Sequence, residues 1–193
     1  MKAKIFIVLL LVLVGLGLEI WTGSQPPEIA TQTPHSPQVK SLNIPAPSFS
    51  FATLEGKTLS LDDLRGKTIL LNFWATWCAP CLAEFPDLLE LASSRPDDLV
   101  LIALSVDESP ENIPAFLKRF DPGIQELAKA ANVVIGLDPQ KKIAQDIFGT
   151  ILFPETFIIG PDLTIRRKIA GVIDWKGLEI RDELENIQKM QAE

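Results

Sequence analysis

Thr68–Trp74 (TILLNFW) is seven residues of continuous apolar and β-rich sequence with no alternation. A strand of this pattern is buried on both faces, so other layers of structure must cover it from above and below. Leu99–Val106 (LVLIALSV) is a second such strand, and Val133–Leu137 is a shorter β-branched one. Between them lie helical patterns: Cys81–Ala92, with Leu82, Phe85, Leu88, Leu89 and Leu91 around one face, then Glu111–Phe120 and Gln125–Ala131. Gln140–Phe148 reads as a helix stopped by Gly149, and Trp175–Met190 as a final amphipathic helix. Phe49–Leu54 and Lys57–Leu61 alternate around Glu55-Gly56, and Thr156–Ile159 and Ile165–Ala170 flank Gly160-Pro161-Asp162, which predicts two hairpins. Strands alternating with helices and closed by a hairpin specify an α/β fold, a central mixed sheet with helices on both faces.

The amino-terminal end differs in kind. Lys2 and Lys4 precede an apolar run, Ile5–Leu18, closed by Ile20 and Trp21. Residues 1–21 therefore read as a signal anchor, with the two lysines inside and the rest of the chain on the outer side of a bacterial cytoplasmic membrane. No small-x-small site stands between Leu16 and Ser24, which favours a retained single-pass anchor, although cleavage stays open. Residues 22–45 hold Pro26, Pro27, Pro34, Pro37 and Pro45 among Ser, Thr and Gln, the composition of an extended tether. Residues 46–193 form the folded domain. Lys2, Lys4, Lys40, Glu19 and Glu28 are the charges before Ala46, so the domain carries 15 basic and 23 acidic residues. That balance argues against a nucleic-acid partner, which would need a basic face.

Chemistry is concentrated in Trp77-Cys78-Ala79-Pro80-Cys81, at the junction of a buried strand and a helix. The helix N-terminus directs unpaired N–H groups and the positive end of its dipole at the first cysteine. An effect of up to ~2 kcal/mol could draw a thiol from about 8.5 toward 7. Cys78 is thus the expected nucleophile and Cys81 the resolving thiol, with Pro80 restricting Ala79 between them. Two cysteines and one histidine, His35, which sits in the tether, are too few for a zinc or copper site, so no metal and no cofactor is expected. A purely structural disulfide would close too short a loop to stabilise much. Phe153-Pro154-Glu155-Thr156-Phe157 places a proline just before a strand, and its local pattern alone does not indicate a cis bond.

From about Ala46 to Met190 the chain resembles the thioredoxin superfamily, specifically membrane-tethered TlpA/ResA/DsbE-type thiol–disulfide oxidoreductases. Asn72-Phe73-Trp74-Ala75-Thr76-Trp77-Cys78-Ala79-Pro80-Cys81, continued by Glu84-Phe85-Pro86, matches that family's active-site block. The resemblance implies a thioredoxin-like fold with an added N-terminal hairpin and a central insertion near Pro110–Leu137. It makes Phe153-Pro154 the cis-proline loop that meets the partner's backbone, with Trp77, Ala79, Pro80, Phe153 and Glu155 on the contacting rim. Cytosolic thioredoxins carry a buried aspartate where Asn72 stands, and Asn72 cannot accept a proton. Glu84, one turn after Cys81 on the same helix face, is the residue expected to move protons for it. Glu155 would add negative charge nearby, and both carboxylates would raise the thiol pKa values and favour a reductant.

The implied activity is reduction of protein disulfides outside the cytoplasm, fed by a membrane electron donor, with apocytochrome c among the candidate substrates through cytochrome c maturation. Two alternatives stand beside it. A thiol-binding chaperone or assembly factor would grip partners without turnover. A thiol peroxidase would need a threonine three residues before the cysteine, where this chain has Ala75. Trp74 and Trp175 read as core residues, the latter anchoring the last helix. Arg166-Arg167-Lys168 reads as a solvated strand edge.

Overall fold

The computed structural model describes residues 37–192. In chain order its strands are β1 (Gln38–Pro45), β2 (Ser50–Thr53), β3 (Thr58–Ser60), β4 (Thr68–Trp74), β5 (Leu99–Ser105), β6 (Val133–Leu137), β7 (Glu155–Ile159) and β8 (Thr164–Ala170). The α-helices are α1 (Ala79–Ser93), α2 (Asn112–Leu117), α3 (Pro122–Leu127) and α4 (Leu178–Ala192). All eight strands belong to one sheet ordered β1-β8-β7-β4-β5-β6-β2-β3. β4, β5 and β6 run parallel, while β7 and β8 return antiparallel on one side and the β2–β3 hairpin closes the other. The two continuous apolar runs are β4 and β5, buried at every position and paired at the centre.

Alternation along β4 sends neighbouring aromatics to opposite faces. Trp74 packs against Phe85 of α1 and Phe116 of α2, at 4.8 and 4.6 Å between ring centroids. Phe73 meets Phe148 and Phe157 at 5.4 and 6.1 Å. Asn72 lies two residues before Trp74 and therefore faces the same side as α1. Its strand partners are Ala103 and Thr156.

Several elements differ from expectation for local reasons. Gln38–Pro45, read as the end of the tether, is an edge strand paired with β8 from Gln38↔Ala170 to Pro45↔Thr164. It is almost wholly exposed and so carries no apolar alternation to announce it. The sheet thus begins before Ala46. β8 lies between β1 and β7, which makes Arg166-Arg167-Lys168 internal to the sheet rather than its edge. Arg167 is paired with Glu179 and Glu183 of α4, and Lys168 with Glu155.

Helix α3 starts at Pro122 because the Asp121 carboxylate accepts the Ile124 N–H and proline suits the first turn. Residues 142–147 form a π-helical turn instead of an α-helix. Lys141 there adopts φ 57°, and the Asp138 carboxylate takes the Ala144 N–H at 2.8 Å. Helix α4 starts at Leu178, after a turn in which Asp174 accepts the Lys176 and Gly177 N–H groups. The apolar run of residues 1–21 and the tether up to residue 36 lie outside the described residues. Among those described, no helix is long and apolar enough to cross a membrane.

Candidate active site

β4 ends at Trp74, and Ala75-Thr76-Trp77 turns the chain into α1, with Cys78 as its N-cap. Cys78 and Cys81 form a disulfide with Cα atoms 5.3 Å apart. The Cys81 backbone N–H points at Cys78 Sγ from 3.2 Å, the helix-terminal arrangement that stabilises a thiolate at Cys78 once the bond is reduced. Cys78 is 6% exposed and Cys81 1%, so a partner reaches Cys78 first. Ala79 and Pro80 are exposed beside them, and Trp77 is 65% exposed.

The turn is held from below by Asp107, just past the end of β5. Its buried carboxylate accepts the Thr76 N–H at 2.9 Å, the Thr76 hydroxyl at 2.7 Å and the Ser105 hydroxyl at 2.7 Å. Asp107 is a supporting residue that the sequence does not mark. Its only signal is a carboxylate immediately after a buried strand adjacent to the cysteine strand.

Glu84 is 2% exposed. Asn72 Nδ2 donates to Glu84 Oε1 at 3.1 Å and to Thr156 Oγ1 at 2.9 Å, and Trp175 Nε1 donates to Glu84 Oε2 at 3.1 Å. Burial pushes the Glu84 carboxyl up from 4.5 to about 7; the bonds from Trp175 and Asn72 pull it back, and the charge of Asp87 adds a further upward push. At neutral pH the group is therefore divided between acid and carboxylate, able to give or take a proton one turn from Cys81. Trp175, expected only to anchor the last helix, is part of this network.

Phe153-Pro154 is a cis peptide. Pro154 is buried, and its carbonyl accepts the Gly171 N–H at 2.9 Å. Ahead of it Ile151 and Leu152 are 74% and 65% exposed, and the half-buried Phe153 ring stands edge-on to Trp77 at 6.1 Å. Glu155 does not sit on the rim as expected. It is buried, its carboxylate pairs with Lys168 Nζ at 3.1 Å, and it accepts the Thr150 hydroxyl. The lysine balances its charge, so Glu155 contributes little net negative field at the dithiol. Among the described residues no cluster of histidine, cysteine and carboxylate side chains could hold a metal ion.

The sequence profile of the Redoxin family matches residues 42–186. The chain belongs to this family. A thiol-disulfide oxidoreductase ResA of Bacillus cereus is 32% identical over 145 residues, three quarters of each chain. A thiol-disulfide oxidoreductase ResA of Geobacillus thermodenitrificans is 29% identical over 94% of this chain and 93% of its own. Among solved structures, the exposed lipoprotein thioredoxin Etrx1 of Streptococcus pneumoniae superposes with a TM-score of 0.59 and 26% identity, covering 72% of this chain and 99% of that one. DsbF of Mycobacterium tuberculosis, at 21% identity and a TM-score of 0.59, shares the fold.

This Redoxin-family chain is a thiol–disulfide oxidoreductase with a thioredoxin-like fold. The site brings Cys78, Trp77 and Phe153 to one surface and places Cys81 and Glu84 beneath it. What the arrangement can do follows from that layering. An accessible sulfur exchanges with a partner disulfide, a shielded sulfur resolves the mixed disulfide, and a buried carboxyl group exchanges protons without exposing the resolving thiol to bulk water.

Proposed function

We propose that the protein is a disulfide reductase for protein substrates, acting outside the cytoplasm and tethered by its N-terminal apolar run, with Cys78, Cys81, Glu84 and Pro154 as the reacting and substrate-contacting residues. The Cys78 thiolate attacks one sulfur of a partner disulfide. That S–S bond breaks, the mixed disulfide forms, and the partner's other sulfur leaves as a thiolate that takes a proton. Glu84 removes the proton from the Cys81 thiol. The Cys81 thiolate then attacks Cys78 Sγ, the mixed disulfide breaks, and the partner leaves with both sulfurs reduced. Two electrons have moved, and the Cys78–Cys81 disulfide of the structure is the product state. A membrane-borne dithiol donor restores the reduced form.

The observation that carries this reading is the buried Glu84 carboxyl, poised near neutrality one turn from Cys81. Its negative form opposes thiolate formation and so favours a dithiol that gives up its electrons readily. Glu155 takes no part in this, because Lys168 balances its charge. Outward placement is supported by the lysine-flanked apolar run and by the relative described as an exposed lipoprotein. Ile151, Leu152 and Trp77 provide apolar contact for a protein substrate around the thiol, and the haem-attachment cysteines of apocytochrome c are one candidate among extracytoplasmic disulfides.

The test is the Cys78–Cys81 reduction potential of the full chain, equilibrated against dithiothreitol and glutathione buffers. A midpoint close to or below about −270 mV supports a dedicated reductase. One near −120 mV makes the protein an oxidant and overturns the assignment.

A further inference from the structure

We propose that Trp175 is a positioning residue for the exchange reaction: its indole N–H fixes the Glu84 carboxylate on the face of α1 one turn beyond Cys81. This deepens the reading of Glu84 given above and rests on it. The two fully buried indoles of the domain differ. Trp74 packs by its rings, against Phe85 and Phe116, and its N–H meets no acceptor among the described residues. Trp175 spends its N–H on Glu84 Oε2 at 3.1 Å.

The segment that carries Trp175 is built to hold it there. Asp174 closes a turn by accepting the Lys176 N–H on its carboxylate at 3.0 Å and the Gly177 N–H on its carbonyl at 3.2 Å. Trp175 then points inward to Glu84. Lys176, the next residue, reaches Asp87 and Glu90 of the same helix, 2.8 Å from each. Glu84, Asp87 and Glu90 follow one another at helical spacing, so consecutive residues of the turn are fastened along one stripe of α1.

Asn72 from β4 takes Oε1 and Trp175 takes Oε2, which sets the plane of the carboxylate from both sides. A carboxylate offers about four acceptor positions, so about two remain for a thiol proton. The titratable and charged groups around Glu84 are Cys81 and Asp87 on its own helix and, beyond Asp87, Lys176. Asn72 on β4 and Thr156 on β7 carry no charge. Burial holds Glu84 near neutrality, and the indole bond favours its ionised form.

The experiment uses the full chain. In the oxidised protein the cysteines carry no titrating proton, so the indole ¹⁵N–¹H resonance of Trp175, assigned by its loss in W175F, should move with pH through a midpoint near 7 and stop moving in E84Q. In the mixed disulfide held at Cys78, where Cys78 no longer titrates, W175F should shift the neutral limb of the Cys81 resolution rate upward by about one pH unit, because the lost donor stabilised the carboxylate. Replacing Trp175 by benzothienylalanine, which keeps the ring shape and lacks the N–H, should give the same shift if W175F folds poorly. E84Q should abolish the limb, and W175F added to E84Q should change nothing more. A purely structural tryptophan would lower rate and stability at every pH and leave the limb where it is. If E84Q loses the limb while both Trp175 variants keep it in place, the Trp175 proposal falls alone. If E84Q itself keeps the limb, the Glu84 reading falls and takes this one with it.

Discussion

Glu84→Gln should change how stability depends on pH, and the size of the change follows from burial. The folded chain holds the Glu84 proton up to about pH 7, whereas the unfolded chain releases it near 4.5. Between those values the native state binds more protons than the unfolded state, so stability falls as pH rises. The contribution is fully present below 4.5 and is lost as pH passes through 7. Two and a half units at 1.36 kcal/mol each come to about 3 kcal/mol. Glutamine cannot ionise, and its amide oxygen can accept from Asn72 or Trp175 but not in the same way from both. Asn72 Oδ1, which has no hydrogen-bond partner among the described residues, can receive the new amide N–H if Asn72 turns over. That rearrangement has its own cost, but the cost does not vary with pH.

The assay is urea unfolding of the oxidised full chain and of E84Q at pH 4.5 and 8.5. The stability difference between them should move by about 3 kcal/mol in favour of E84Q on going to the higher pH. A difference constant to within about 0.5 kcal/mol would refute the reasoning. Glu84 would then titrate like an exposed carboxylate and could not serve as a proton carrier near neutrality.

Asn72→Asp, nearly isosteric, would set a second buried carboxyl 3.1 Å from Glu84 Oε1. The pair cannot both ionise, so a loss on the order of 3 kcal/mol is expected at pH 8 and much less at pH 5, read by urea unfolding. Asp107→Ala removes the acceptor of the Thr76 N–H and hydroxyl, which should cost on the order of 3 kcal/mol in thermal unfolding and slow the reduction of insulin disulfides by the mobile turn before Cys78. Ile151→Ser combined with Leu152→Ser should leave stability within about 0.5 kcal/mol, since both side chains are exposed. It should also leave recycling by a small dithiol unchanged while raising KM for a protein substrate several-fold. An unchanged KM would show that the apolar rim does not touch the partner.

The centre of the fold was legible because burial on both faces leaves a strong signature: the runs 68–74 and 99–105 could be little else than inner strands. The cysteine pair was legible for a related reason, since few contexts other than exchange chemistry join a strand end, a helix start and two cysteines three apart. Edges and tertiary bonds were not. β1 is held to β8 by backbone hydrogen bonds that any side chains can make, so QVKSLNIP reads as tether until its partner strand is seen.

Glu155 was misplaced for the opposite reason. The resemblance puts it on the rim after the proline, but Lys168 on the neighbouring strand draws its carboxylate inward. The same limit applies to Trp175 and Glu84, 91 residues apart and joined by one hydrogen bond. Neither residue type is unusual alone on its helix or loop, and only packing α1 against the turn before α4 gives the buried indole its acceptor and the buried carboxylate a second donor beside Asn72. Where a sequence places an acid one turn past a reactive cysteine, the informative question is what donor the fold brings to it from elsewhere in the chain. Burial brings that acid's proton affinity near neutrality, and the donor fixes where its carboxylate points.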